Sequence, residues 1–164
     1  GPARKELSIM VDAQTQTVLF ETPLLEHRRA QRTGRVTLRL RSDEDVVGVR
    51  KQVRERAVAI GLSLVDQTKL VTAASELARN TIKYGGGGEV HLDAFDDGAR
   101  LGIGLLFVDA GQGIPNIESA LRDGFTTGGG LGLGLGGSKR LVDEFDIDSR
   151  PKEGTAVLII KWKR

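Results

Sequence analysis

The sequence predicts an α/β domain, a two-layer sandwich in which helices cover one face of a mixed, mostly antiparallel sheet. Residues 89–95 and 100–108 are strand-like runs joined by Asp96-Asp97-Gly98, a turn sequence that folds one strand back on the next. Residues 43–60 and 65–84 repeat apolar side chains at helical spacing. A further helix-like run is followed by two strand-like stretches around the turn Pro151-Lys152-Glu153-Gly154. Helices and hairpin-linked strands in one short chain are the pattern of a sheet packed on one side.

Residues 3–34 alternate weakly around 7–10 and 18–20, then turn polar and basic. They are expected to form an N-terminal extension, residues 1–34, as a hairpin or an added edge strand, with Gly1-Pro2 the scar of a removed tag. The folded domain is expected over residues 35–164. From Arg35 the pattern sharpens, because Val36, Leu38 and Leu40 alternate with polar residues as in a half-buried strand. Ser42 or Asp43 then caps a helix whose inner face is Val46, Val49, Val53, Ala57 and Ile60. That helix ends at Gly61, where glycine accepts the left-handed conformation. The second helix, 65–84, carries the stripe Leu70, Ala73, Ala74, Leu77, Ala78 and Ile82 and stops at Gly85. Beyond the hairpin, 116–122 reads as a short helix, 137–145 as a longer one, and Ile147 and 155–162 as the last strands.

Composition narrows the function. A chain of 164 residues suits one domain with a core large enough to fold without covalent staples. It holds no cysteine, which excludes disulfides and thiolate metal sites and makes the cytoplasm the expected compartment. No apolar run nears the roughly 20 residues of a membrane span, and the N-terminus lacks the order of a signal peptide, so no membrane partner is expected. The net charge of +2 does not imply a nucleic-acid partner; the basic stretch from His27 to Arg41 is read as a solvated linker and strand face. Half of the 22 glycines fall in two stretches, 85–88 and 128–137.

Three segments carry chemistry. Glu76 and Asn80 stand four apart on the second helix, so they share a face, with Lys83 on the same side. A carboxylate, a carboxamide and an ammonium there can take a proton, hold a hard cation and meet a phosphate. Alone, E-x-x-x-N is more simply a solvated helix face. Asp109 ends an apolar strand and is followed by Gly111 and Gly113, which let backbone approach a flat ligand whose amino group the carboxylate can accept; a plain turn accounts for the glycines equally well. Residues 128–137 are so dense in glycine that their N–H groups can line an anion before a helix N-terminus. Leu131, Leu133 and Leu135 need burial and argue against a linker. A Walker loop is excluded because the preceding strand and glycine spacing are missing, and a dinucleotide fold because the context of G-x-G-x-x-G is wrong.

In this order the three segments resemble the Bergerat-fold, or GHKL, ATPases, the superfamily of gyrase, the Hsp90 chaperone, histidine kinases and MutL. Glu76-Leu77-Ala78-Arg79-Asn80 is similar to the family's N box, residues 109–113 to its first glycine box, 130–136 to its second, and Gly154-Thr155 to its closing G-T. The segments 75–84, the short lid 116–127 and 128–145 most resemble the anti-sigma-factor serine/threonine kinases, nearest the RsbT-type switch kinases of stressosome pathways. His27 and His91 sit in no histidine-kinase phosphoacceptor motif.

The resemblance implies ATP and Mg2+ as ligands. Glu76 would be the catalytic base, Asn80 the magnesium ligand and Asp109 the adenine anchor. Gly111 and Gly113 would shape the base pocket. The segment Gly128, Gly129, Gly130, Leu131, Gly132, Leu133, Gly134 and Gly136 would wrap the phosphates, with Thr126 and Thr127 at the tip of the lid. Thr155 would support Asp109, and Arg79 or Lys83 would neutralise phosphate charge. The implied activity is phosphorylation of a STAS-domain protein, with release activating a PP2C-type phosphatase. An anti-sigma factor that sequesters a sigma factor, or a non-catalytic ATP-binding module, are the other readings.

Overall fold

The computed structural model describes the backbone of residues 9–12, 17–20, 31–122 and 134–164, and the side chains of residues 35–122 and 134–164. Ile9–Asp12 (β1) and Thr17–Phe20 (β2) pair antiparallel as a hairpin, Ile9 opposite Phe20. The strand anticipated from Arg35 begins earlier, as Gln31–Leu40 (β3). It pairs with Gly88–Asp96 (β4), and the register shifts between Thr33 and Val36. That irregularity explains why residues 31–34 show no alternation: a bulge breaks the two-residue period.

Leu101–Asp109 (β5), Glu144–Arg150 (β6) and Gly154–Trp162 (β7) complete a five-stranded sheet in the order β3-β4-β5-β7-β6. Each of its pairings is antiparallel, where the sequence reading left room for a parallel pair. The reason is the path. The chain crosses from β5 to the far edge, enters β6 there, and returns beside β5 through the hairpin to β7.

Asp43–Ile60 (α1) and Leu64–Lys83 (α2) pack on one face. Asp45 closes the start of α1 by accepting from the N–H groups of Arg41 (2.7 Å) and Ser42 (3.1 Å), and Gly61 ends it at φ 84°. Ser63 caps α2 by accepting from Asp66 N–H at 3.1 Å. Val49, Val53, Leu70 and Leu77 meet Leu92, Leu105, Phe107 and Ile159 of the sheet in one buried cluster. Truncating such a fully buried leucine to alanine costs about 2–5 kcal/mol.

The opposite face carries a second buried cluster, Phe95, Leu106, Ala156, Leu158, Ile160 and Trp162. There the Arg100 guanidinium lies 4.3 Å from the Trp162 ring, and the indole N–H donates to Glu144 at 2.9 Å.

Ile117–Leu121 (α3) is the short helix expected at 116–122. The helix expected over 137–145 is instead Leu135–Leu141 (α4), and Phe145 lies in β6. Sheet pairing overrides the helical spacing. Asp143 N–H donates to the Ile160 carbonyl at 3.0 Å, and its carboxylate accepts from Trp162 N–H at 2.7 Å, so the chain is already bound to β7 two residues after α4.

Candidate functional site

The inner stripe of α2 is pinned to the sheet, which turns Asn80 to a cleft between α2 and the ends of β5 and β7. Leu77, Phe107, Ile114, Leu135 and Val157 give the cleft apolar walls, and Asn80, Thr81, Asp109 and Thr155 give it polar groups. Like small-molecule sites in general, it is mostly apolar with a few placed polar groups.

Asp109 is the best-held polar group in it. One carboxylate oxygen, Oδ1, accepts from Gly111 N–H at 2.9 Å and from Thr155 N–H at 3.3 Å. Oδ2 is left for a ligand, since no described residue is hydrogen-bonded to it. Burial lifts the carboxyl above its ordinary value, while the two N–H donors pull the other way. An acceptor oxygen on an apolar floor fits the exocyclic amine of adenine, and the flat walls fit its ring.

Two glycine contacts make this floor. A Cβ placed on Gly85 would lie 2.5 Å from Asp109 Oδ2, and one on Gly111 would lie 2.8 Å from the Gly85 backbone. Gly111 thus lies against the Gly85 backbone and Gly85 against the Asp109 side chain, where neither contact leaves room for a Cβ. Gly113 takes φ 82° and Gly154 φ 119°, and a Cβ on either would collide with facing backbone, of Arg150 and Asp109 respectively.

One turn of α2 before the lining residue Asn80 is a helix surface. Glu76 lies one turn before Asn80 and accepts from Arg79 at 3.1 Å, with side-chain exposures of 44% and 51%. Gly134 at the start of α4 comes up to it, so that a Cβ there would sit 3.0 Å from Glu76 Oε2. Asn80 lines the cleft, and its main-chain carbonyl accepts from Tyr84 and Gly85 N–H. One carboxamide oxygen suits a hard cation that takes one or two protein ligands and leaves the rest to phosphate and water. Among the described residues no group of three or more metal-ligating side chains gathers.

The structure therefore brings Asn80, Asp109, Gly113 and Thr155 to one cleft, with Gly111 against the lining residue Gly85, while Glu76, Arg79 and Gly134 gather with one another outside the lining, Gly134 next in the chain to the lining residue Leu135. Lys83 is exposed and lies over the Tyr84 ring at 5.2 Å, outside the cleft lining. Gly136 is buried inside α4. Thr126, Thr127, Gly128, Gly129, Gly130, Leu131, Gly132 and Leu133 lie outside the described residues. Sequence reasoning took Gly85 only as a helix stop and missed Ser149. Ser149 accepts from Ile114 N–H at 2.7 Å and lies 2.8 Å from Thr155 Oγ1. The glycine run 85–88 was a signal for the first; the second has none.

Comparison with known proteins identifies the family and the fold. Residues 65–164 match the family described as histidine kinase-, DNA gyrase B-, and HSP90-like ATPase. The chain is 42% identical over 127 residues to the serine/threonine-protein kinase RsbT of Bacillus subtilis, spanning 77% of this chain and 96% of that protein. It is 33% identical over 106 residues to an anti-sigma F factor of Anoxybacillus flavithermus, spanning 60% of this chain and 71% of the relative. The solved RsbU and RsbW domains of a Mycobacterium tuberculosis protein align with a TM-score of 0.55 at 23% identity. That match covers 80% of this chain and 33% of the other, and supports the fold.

Proposed function

Because this chain belongs to the family of histidine kinase-, DNA gyrase B- and HSP90-like ATPases, we propose that it is a serine/threonine protein kinase. It binds ATP in the Asp109 cleft and phosphorylates a STAS-domain regulator in a partner-switching stress pathway. The identity to a serine/threonine-protein kinase over nearly that protein's whole length supports the activity. The observation that supports the mechanism is that Glu76 lies against Gly134 and one helical turn from Asn80, a lining residue of the cleft that also holds Asp109.

Asp109 and Thr155 hold the base and Asn80 faces the phosphates. The Glu76 carboxylate takes the proton of an incoming serine or threonine hydroxyl as its oxygen bonds to the γ-phosphorus and the bond to the ADP oxygen breaks. Magnesium, when bound at Asn80, neutralises phosphate charge. Arg79 keeps Glu76 in place until substrate arrives. The phosphorylated regulator then releases the kinase toward a PP2C-type phosphatase. We place this cycle in the cytoplasm; no described helix is long and apolar enough to cross a membrane.

Similarity to anti-sigma F factors favours one second reading, sequestration of a sigma factor. Incubation with γ-labelled ATP and a STAS-domain protein separates the two. Label on a serine or threonine of the STAS protein, abolished by EDTA, is expected. No transfer, together with a stable complex with a sigma factor, would establish the second reading.

A further inference from the structure

We propose that the outer face of the sheet, the one turned away from the helices, is a docking surface for the chain's own N-terminal segment. Residues 1–30 cover it with the hairpin β1–β2 and keep two copies of the chain from pairing through it.

The outer face is buried, yet no helix lies on it. Phe95, Leu106, Leu158, Ile160 and Trp162 are each 2–4% exposed. The helices α1–α4 all contribute to the inner cluster, and among the described residues none contributes to this one. Polar groups are sealed in with it. His91 alternates with the inner residues Val90 and Leu92, and Asp146 with Phe145 and Ile147, so both point outward. His91 Nε2 and Asp146 Oδ2 are buried atoms with no hydrogen-bond partner among the described residues. A bare sheet face would leave such atoms to water, so a layer of protein belongs over them.

Two stretches lie outside the described side chains. Residues 123–133 join α3 to α4, and Ala120 and Leu135 tie both ends to the inner side. Residues 1–30 run into β3, where the pairing carries Arg32 across Phe95 and Gly102 to Trp162. The segment therefore enters the sheet in the row that holds Phe95 and Trp162. It also brings apolar surface. The register sets Ile9 opposite Phe20 and Val11 opposite Val18, four apolar residues on one side of the hairpin, while Asp12 and Thr17 fall on the other side with Met10 and Leu19. A lone two-stranded hairpin is marginal in water and gains stability by packing such a side on a second sheet. Left uncovered, an apolar face of this kind invites association with another copy.

The test uses the full chain, in which Trp162 is the only tryptophan. Wild type should be a monomer by light scattering, with Trp162 emission blue-shifted and resistant to acrylamide at every concentration. Val11→Glu and Val18→Glu each put a charge into the proposed contact. Each should either shift the emission to the red and open Trp162 to acrylamide, or produce a concentration-dependent dimer. Gln14→Glu, between the two strands, adds the same charge away from the contact and should do neither; an equal effect there overturns the proposal. Unchanged emission and quenching in unchanged monomers of both hairpin variants, with circular dichroism kept, also overturns it. So does a wild-type Trp162 that acrylamide reaches freely, or wild-type protection lost on dilution as a dimer dissociates, which would make a second copy the cover. Should the glutamate variants fail to fold, Val18→Thr keeps the shape and adds a hydroxyl, and a Trp162 no more quenchable there than in wild type overturns the proposal.

Discussion

At one end of the cleft Asp109, Gly111, Ser149, Thr155 and Ile114 hold one another through hydrogen bonds of 2.7–3.3 Å on strand ends. Outside its lining, Glu76 and Arg79 pair on a helix surface with about half of each side chain in solvent. The first arrangement is complete before any ligand arrives, and its cost was met when the sheet folded. The second is held by one exposed pair and would gain further partners only if phosphate and acceptor replaced water, as the proposed function requires. On the function proposed above, affinity should reside at the Asp109 end and rate at the Glu76 end, in the sense that preformed groups bind while a base acts only in the transition state.

The largest expected effect tests the rate end. Glu76→Gln keeps size and hydrogen bonding but cannot take a proton, so single-turnover phosphorylation at saturating ATP should fall by roughly 10²–10⁴-fold with ATP affinity little changed. A parallel loss of affinity would show that the two ends are one unit. Asp109→Asn reverses the experiment. Losing a charge-assisted hydrogen bond worth about 1.5–3 kcal/mol should weaken ATP binding by roughly 10- to 150-fold, with the rate at saturation nearly kept. Unchanged affinity in the folded variant would take Asp109 out of the site.

Gly85→Ala sharpens the same contrast without touching charge. The added methyl would press on the Asp109 carboxylate at 2.5 Å, so about tenfold weaker ATP binding is expected, with unfolding temperature recorded alongside to separate strain from site loss.

The smallest effect is that of pH. Burial holds Asp109 above its ordinary 3.8, so ATP affinity should begin to drop on acidification before a free aspartate would titrate, and Asp109→Asn should flatten that profile. The sign for stability is opposite. A carboxyl whose folded pKa is raised stabilises the fold in acid and loses that contribution as pH rises through the raised value, so Asp109→Asn should leave the fold no less stable at neutral pH. His91, held from 6.5 down to about 4 chiefly by burial and then by Arg35, works against the fold as pH falls through that window. Denaturation at each pH, beside the binding measurement, keeps the two apart.

What the sequence shows of this molecule is what local physics writes into it. The α2 stripe from Leu70 to Ala78, the Gly61 cap and the hairpin turn at Asp97-Gly98 were legible because spacing and backbone freedom are properties of neighbours in the chain. Asp109 was legible as an acid ending an apolar strand. The contact of Gly85 with Asp109 and the Ser149–Thr155 pair were not, because strand pairing alone brings those residues together. The end of α4 was misjudged for the same reason: residues 142–145 carry a helix-compatible pattern, and only the partner strand β7 decides against it.

The chain's single tryptophan, Trp162, is 2% exposed, hydrogen-bonded through its indole, and set on the sheet face away from the cleft. Nature has thus placed the molecule's only strong fluorophore where it reports on the register of β7 and the closure of the second cluster, while ligand traffic on the far side passes it by. Its emission should serve as an optical gauge of sheet integrity, read from the face opposite the cleft.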